Sequence, residues 1–145
     1  MPALAQRKDP YSGCRFLVEI EGLIVGGFSE VTGLQAETQF EDYHEGGVND
    51  FVHRLPRETR YTNLTLKRGI TDSDALWQWH QDVVNGKVSR KNGYVILLDS
   101  EGAETWRWNF LEAYPVKWVG PDLRGDSSTV ALETVELAHK GIKKA

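Results

Sequence analysis

The residues best suited to metal binding or catalysis do not form a recognised site in this sequence. Two of the four histidines, His44 and His53, lie in one stretch with Glu45, and these three side chains could ligate a metal ion if the fold brought them together. Their spacing matches no zinc motif of the H-E-x-x-H kind, so we expect no metal site. The sequence also lacks a nucleophile elbow, a phosphate-binding loop and a dinucleotide-binding glycine motif. These observations favour a protein that is not an enzyme and binds no cofactor.

The remaining reactive side chains have structural explanations. Glu37 and Glu41 share one side of a predicted strand, and paired carboxylates can carry out acid–base catalysis. Two strand steps separate them by roughly 13 Å, which is too far for a shared proton, so we interpret them as part of a solvated face. The single cysteine, Cys14, can form no internal disulfide, and its apolar neighbours predict a buried structural thiol.

Length and charge exclude several classes of protein. The chain has 145 residues, the size of one ordinary domain, and its formal net charge is −4. An acidic chain does not attract nucleic acid through its overall field. No segment reaches the roughly 20 apolar residues of a membrane span, and residues 1–10 lack the apolar stretch of a signal peptide. We therefore expect a protein that is assembled in the cytoplasm and makes no stable membrane insertion of its own.

Hydrophobic periodicity predicts a mainly β protein, an antiparallel barrel or sandwich of about seven strands with one α-helix. The helix follows Thr71, which we predict as its N-cap, runs for about 13 residues and ends at Asn85-Gly86. The predicted strands lie at residues 15–20, 23–31, 34–43, 60–67, 93–99, 105–119 and 128–137. Residues 1–14 are predicted as a flexible N-terminal arm, 15–140 as the β domain, and 141–145 as a basic C-terminal tail.

Two segments are expected to meet other molecules or solvent. The strand at 34–43 alternates, so we expect one buried face, with Leu34, Ala36, Thr38 and Phe40, and one wet and acidic face, with Gln35, Glu37, Gln39 and Glu41. The long connection at 44–58 contains Phe51, Val52 and Leu55, apolar residues that require cover. On the helix, Trp79 lies on the predicted core side, whereas Trp77 points elsewhere and is a candidate interface residue.

The sequence resembles the tail tube proteins of contractile phages and of phage-tail-like extracellular injection systems. The resemblance lies in the order and spacing of short motifs, which extend over nearly the whole chain. They are FLVEIEG at 16–22, GFSEVTGL at 27–34, EGG at 45–47, LP at 55–56, LTLKRGI at 64–70, LWQW at 76–79 and YPVKW at 114–118.

This resemblance implies a fold like that of the type VI secretion tube protein, with subunits that form hexameric rings stacked into a tube within a sheath. It further implies the sheath, baseplate and tail-terminator proteins as partners, and protein cargo or DNA in the lumen. The implied ring-stacking or interface residues are Tyr11, Phe51, Val52, Leu55 and Trp77, and the implied lumen-facing residues are Gln35, Glu37, Gln39 and Glu41. The particle is either a phage tail or a released extracellular injection system.

Two alternatives to a main tube subunit remain open from the sequence. A tube-initiator subunit at the baseplate of the same apparatus shares the resemblance and differs in copy number. A monomeric β-barrel that binds a lipid or sugar belongs to a different class and requires an enclosed apolar pocket.

Overall fold

Nine strands and one helix form the described part of the chain, residues 9–23, 26–47 and 51–145 of the computed structural model. The strands are β1 (Phe16–Ile20), β2 (Phe28–Thr32), β3 (Ala36–Tyr43), β4 (His53–Tyr61), β5 (Leu64–Gly69), β6 (Lys91–Leu98), β7 (Glu104–Val119), β8 (Leu132–Ala138) and β9 (Ile142–Lys144), and the helix is α1 (Ala75–Val84). The predicted mainly β, antiparallel fold with one helix is confirmed. Helix α1 has ten residues, and no helix in the described ranges is long and apolar enough to cross a membrane.

One antiparallel sheet of seven strands forms the body of the molecule. Its order is β1-β6-β7-β8-β5-β2, and β9 pairs with β7 beside β8. Because β1 and β2 are the two ends of this order, they pair with β6 and β5 only on their inner sides. The sheet is therefore a barrel wall that is open between β1 and β2.

The core explains why the sheet curls. Apolar residues from β1, β5, β6, β7, β8 and α1 meet in a single buried cluster. Side chains from both halves of the sheet reach this cluster, so the sheet wraps around its own apolar face. The buried members are Val18, Ile20, Leu64, Leu66, Leu76, Trp79, Val95, Phe110, Ala113, Val135 and Leu137.

The long strand β7 bends so that it serves both halves of the sheet. Its first part pairs with β6 and β9, and its last part pairs with β8. At the bend Glu112 has a φ of 49°, a left-handed conformation that non-glycine residues adopt infrequently. The bend places the end of β8 and the start of β9 against the middle of β7, where Lys140 N–H donates to Leu111 O at 2.9 Å.

The helix begins later than the sequence indicated. Thr71 is not the N-cap, because its hydroxyl accepts the Ser73 N–H at 3.2 Å and the helix starts only after Asp74. Trp79 is buried as predicted, and its Nε1–H donates to the Ser89 carbonyl at 2.8 Å. The segment that begins at Thr71 therefore forms a turn that leads into the helix rather than its first turn.

Several segment predictions were wrong in detail. The last part of the long connection at 44–58, from His53 onward, is strand, because β4 pairs with β3 as a hairpin, and residues 48–50 lie outside the described ranges. The predicted strand at 60–67 is divided, since β4 ends at Tyr61 and β5 begins at Leu64. Of the predicted strand at 23–31, only the part from Phe28 onward belongs to β2, and residues 24 and 25 lie outside the described ranges.

The two ends of the chain also differ from expectation. The predicted basic tail contains β9, whose half-buried Ile142 pairs with Phe110, so the segment belongs to the sheet rather than extending from it. Cys14 is exposed, not buried, and its thiol accepts a hydrogen bond from the Ser12 hydroxyl at 3.2 Å. Residues 1–8 of the predicted arm lie outside the described ranges, and the proposed domain boundaries stay predictions.

Candidate assembly surface

The β3–β4 hairpin stands apart from the barrel. Within the part of the chain that the structure describes, its strands of eight and nine residues pair only with each other, and the hairpin leaves the body where Ala36 faces Tyr61. Tyr61 anchors this base, because its ring lies 5.9 Å from that of His139. A two-stranded hairpin that packs on no other layer is marginally stable in water, so this one calls for a partner.

The hairpin face that was predicted to be buried is open to solvent. Phe40 is 56% exposed, and the Arg54 guanidinium lies 5.1 Å from its ring centroid. Thr38 and Thr59 on this face are joined through their hydroxyls at 2.9 Å. The prediction of a buried face was wrong for the single chain, since no element in the described ranges lies over the hairpin.

The opposite face carries the predicted lumen residues. The β3 residues Glu37, Gln39 and Glu41 keep their alternation, because the register shift between Thr38 and Phe40 leaves the extra residue on β4. Arg57 donates to the Glu41 carboxylate at 3.0 Å, and Arg60 is the cross-strand neighbour of Glu37. The face is wet as predicted, but it is not simply acidic, since arginines of β4 face its glutamates. Gln35 is exposed just before β3.

The apolar residues predicted to require cover do lack it in the single chain. Phe51, Val52 and Leu55 are 55%, 42% and 48% exposed. Phe51 makes an edge contact with the His53 ring, 4.8 Å between centroids. Their exposure agrees with an interface, although no bound partner tests that role.

The histidine group in this region brings two potential metal ligands together among the described residues. His53 Nε2 lies 3.4 Å from a Glu45 carboxylate oxygen, and no group of three potential ligands converges there or elsewhere in the described ranges. The contact is an exposed polar pair that connects the start of β4 with the segment after β3.

The other two interface candidates lie away from the hairpin. Tyr11 is 58% exposed and lines a shallow cavity with Cys14, Leu98 and Ser100, where the Arg15 guanidinium donates to the Ser100 carbonyl at 2.9 Å. Trp77 is 39% exposed and packs edge-on against Trp118, with 4.7 Å between ring centroids. The chain therefore does not gather all five candidates on one surface.

Unpaired strand edges accompany these exposed groups. In the described ranges no strand pairs with the outer edges of β1, β2, β3 or β4. An open edge carries unpaired N–H and C=O groups and readily adds a strand from another chain.

Sequence reasoning missed a buried charged pair behind this surface. Arg68 bonds Glu133 across β5 and β8, and both side chains are almost fully buried. The alternation Leu64, Leu66, Arg68 was the available signal, because it puts the arginine on the core side of β5.

The sequence and the fold of this chain are similar to those of known proteins. A family model described as T4-like virus tail tube protein gp19 matches residues 12–143. A chain in the baseplate of the anti-feeding prophage (AFP) is 23% identical and superposes with a TM-score of 0.85, covering 96% of this chain and 97% of that chain. A chain of the PVC sheath-tube complex, an extracellular contractile injection system, is 22% identical with a TM-score of 0.84, covering 94% and 91%.

A more distant likeness extends to secretion tubes. Hcp1 from Flavobacterium johnsoniae is 19% identical with a TM-score of 0.57, covering 89% of this chain and 93% of that chain. Curated proteins yielded no sequence match. At these identities the structural likeness shows a shared fold.

Proposed function

The chain belongs to the T4-like virus tail tube protein gp19 family, and on this basis we propose that it is the inner-tube subunit of a contractile tail or injection system. As a tail tube family member it is a structural component rather than an enzyme. Its subunits close into hexameric rings, and the rings stack into a tube around a lumen. The sheath surrounds this tube, and baseplate and terminator proteins bind its two ends.

The observation that carries the proposal is the β3–β4 hairpin. It combines a projecting two-stranded sheet, open outer edges and an exposed Phe40 in one element. Each feature costs stability in an isolated chain. A neighbouring copy removes all three costs when it pairs with an open edge of the hairpin and covers the Phe40 side chain. In a ring every subunit both offers a hairpin and receives one, which leaves no hairpin uncovered.

The glutamate-bearing hairpin face suits a lumen. Arg57 pairs with Glu41, and Arg60 pairs with Glu58 beside Glu37, so the face is polar and carries both signs of charge. A lining of this kind is hydrated and holds neither protein cargo nor DNA tightly. Passage through the tube is favoured by weak binding along its length.

A tube initiator is a second form of the same proposal. Chains in a baseplate and in a sheath-tube complex superpose on this one with TM-scores of 0.85 and 0.84, so the fold does not separate the two roles. Copy number in the parent particle separates them, because an initiator contributes only the first ring or two.

Electron microscopy and sedimentation of the purified chain test the proposal. We expect rings with an open centre and sixfold symmetry at high protein concentration, alone or stacked, in equilibrium with monomer on dilution. A chain that stays monomeric over the whole range of concentration and ionic strength contradicts it. Proteolysis adds a second readout, because assembly should protect the hairpin segment 44–58 from cleavage.

A further inference from the structure

Acidic and basic residues lie at opposite ends of β8. We define the acidic end by Asp72, Asp74, Asp122 and Asp126, which lie in the loops beside Leu132, where β8 begins. We define the basic end by Arg90 and Lys140, which lie near Ala138, where β8 finishes, and by Lys143 and Lys144 on β9, which continues beyond it along β7. The six residue steps between Leu132 and Ala138 span roughly 20 Å, so the two groups do not neutralise each other within one chain.

The acidic end is fixed by backbone contacts. Gly69 pairs with Leu132, and Ile70 N–H donates to the Ala131 carbonyl at 2.9 Å, so the segment that holds Asp72 and Asp74 starts at this end. Val119 pairs with Thr134, and the loop that follows holds the other two aspartates.

This end has an excess of negative charge and exposed apolar side chains. All four aspartates are exposed, and none takes part in an ion pair with another described residue. The single cation in the β7–β8 loop is Arg124. Leu123 and Val130 in the same loop are 81% and 74% exposed.

The basic end is built around one carboxylate. Lys140 Nζ lies 2.7 Å from the Glu112 carboxylate, and the Arg90 guanidinium stacks at 4.8 Å over Tyr114, which pairs with Ala138. Lys143 and Lys144 follow on β9, where Lys144 Nζ lies 3.9 Å from the Trp106 ring centroid. One glutamate therefore offsets only one of these four cations.

The hairpin leaves the barrel at the basic end. Its base residue Tyr61 lies against Gly141, between Lys140 and β9. The exposed Phe51, Val52 and Leu55 lie toward the other end of β4 from this base, whereas Leu123 and Val130 lie in the same loop as Asp122 and Asp126. The match between the two ends is therefore one of charge.

We propose that the acidic end of one copy docks on the basic end of another copy in the next ring. Such a contact joins two different surfaces and does not close on itself, so it propagates along an axis. A single exposed ion pair contributes little, but a ring would present every copy of each end together, and the contacts then reinforce one another. This inference rests on the proposed tube function and adds to it the surfaces and the polarity of stacking.

Charge reversal at each end tests the proposal. Asp122→Lys with Asp126→Lys makes both ends basic, and Lys140→Glu with Lys143→Glu makes both ends acidic. We expect each variant to form single rings and to lose stacked tubes in electron micrographs. Mixing the two ring populations in equal amounts should restore stacks, because unlike rings then alternate. Glu101→Lys, an exposed reversal in the turn before β7, is the matched control and should stack like the wild type.

Ionic strength provides an independent readout. Raising salt from about 0.1 M to about 1 M shortens the screening length from about 10 Å to about 3 Å, so wild-type tubes should break into rings. Reversal variants that stack as well as wild type, a mixture that stays as single rings, or tubes that are indifferent to salt would each overturn the inference. A wild-type chain that forms no rings at all would overturn the tube proposal instead.

Discussion

Arg68 and Glu133 form an ion pair inside the barrel, with side chains that are only 2% and 5% exposed. The Arg68 guanidinium also donates to the Ser73 carbonyl at 2.8 Å, and the second Glu133 oxygen accepts the Trp118 indole N–H at 3.2 Å. The Trp118 ring in turn packs against the ring of Trp77 in α1. One buried pair thus connects β5, β8, the end of β7 and the segment that leads into α1.

Breaking this pair should destabilise the subunit strongly. Glu133→Ala leaves the Arg68 charge buried without its partner, and we expect a loss of about 3–5 kcal/mol in the free energy of unfolding, measured by urea denaturation. Replacing both partners by apolar residues of similar size, as in Arg68→Met with Glu133→Leu, should recover much of that loss. The neighbouring exposed pair Lys67–Glu30 is the control, and Glu30→Ala should cost about 0–1 kcal/mol. Equal losses in the free energy of unfolding for Glu133→Ala and Glu30→Ala would refute the stabilising role of the buried Arg68–Glu133 pair.

Phe40 should matter for assembly rather than for folding. It is 56% exposed in the single chain, so Phe40→Ser should change the stability of the monomer by less than about 1 kcal/mol while reducing the yield of rings in sedimentation experiments. Phe110→Ala is the contrasting variant. Phe110 is fully buried, and its truncation should cost about 3–5 kcal/mol. A Phe40→Ser variant that forms rings at the wild-type concentration would argue against the hairpin as the ring contact.

Gly93 is required where β6 passes over the core. A Cβ at this position would lie 2.2 Å from Phe110 Cζ and 2.6 Å from the Glu19 carbonyl oxygen, closer than atoms can approach. Gly93→Ala must displace Phe110 or part β6 from β1, and we expect a loss of at least about 1–3 kcal/mol in thermal or urea unfolding. Gly125→Ala, where nothing lies within 4 Å of the new methyl group, should be close to neutral. Similar stabilities of the two variants would contradict this packing.

Glu112 should titrate below the usual range of a glutamate. The hydrogen bond from Lys140 lowers its pKa, and the nearby Arg90 charge adds to the effect. Because the pKa is lower in the folded chain, the stabilisation is present above the ordinary glutamate pKa and is lost as pH falls through the lowered value. Lys140→Ala should raise the pKa of Glu112 in an NMR titration of the unassembled chain. Glu104, whose pKa is lowered by Arg107, should not change, and an unaltered Glu112 midpoint would disprove the cause.

Much of the barrel could be predicted because its strands alternate between core and solvent. Leu64 and Leu66 in β5, and Val135 and Leu137 in β8, are buried at every second position. A strand that packs one side on an apolar core shows this period in its sequence. The motifs around residues 16–22 and 64–70 then identified the family.

The hairpin and β9 could not be predicted from the same signal. In β4 no residue is fully buried, so the segment has no apolar alternation to detect and resembles a loop. In β9 only Ile142 faces the core, and three lysines surround it in the sequence. Thr71 failed as a cap because a local hydroxyl-to-backbone turn competed with the helix start. Strands without a run of buried alternate residues therefore look irregular in the sequence.

The lumen assignment can be tested by the access of thiol reagents. In a Cys14→Ser background, Glu37→Cys places a thiol on the glutamate-bearing face of β3, and Leu17→Cys places one on a half-exposed position of β1 away from the hairpin. In the monomer both thiols should react with a small maleimide and with a bulky polymer-linked maleimide. In assembled tubes the Glu37→Cys thiol should still react with the small reagent, which diffuses along a water-filled channel, but should be protected from the bulky one. The Leu17→Cys thiol should react with both reagents if β1 lies on the outer wall. Equal labelling of the Glu37→Cys thiol by both reagents in intact tubes would show that this face lies outside the channel, because a polymer wider than the bore cannot reach a residue that lines it.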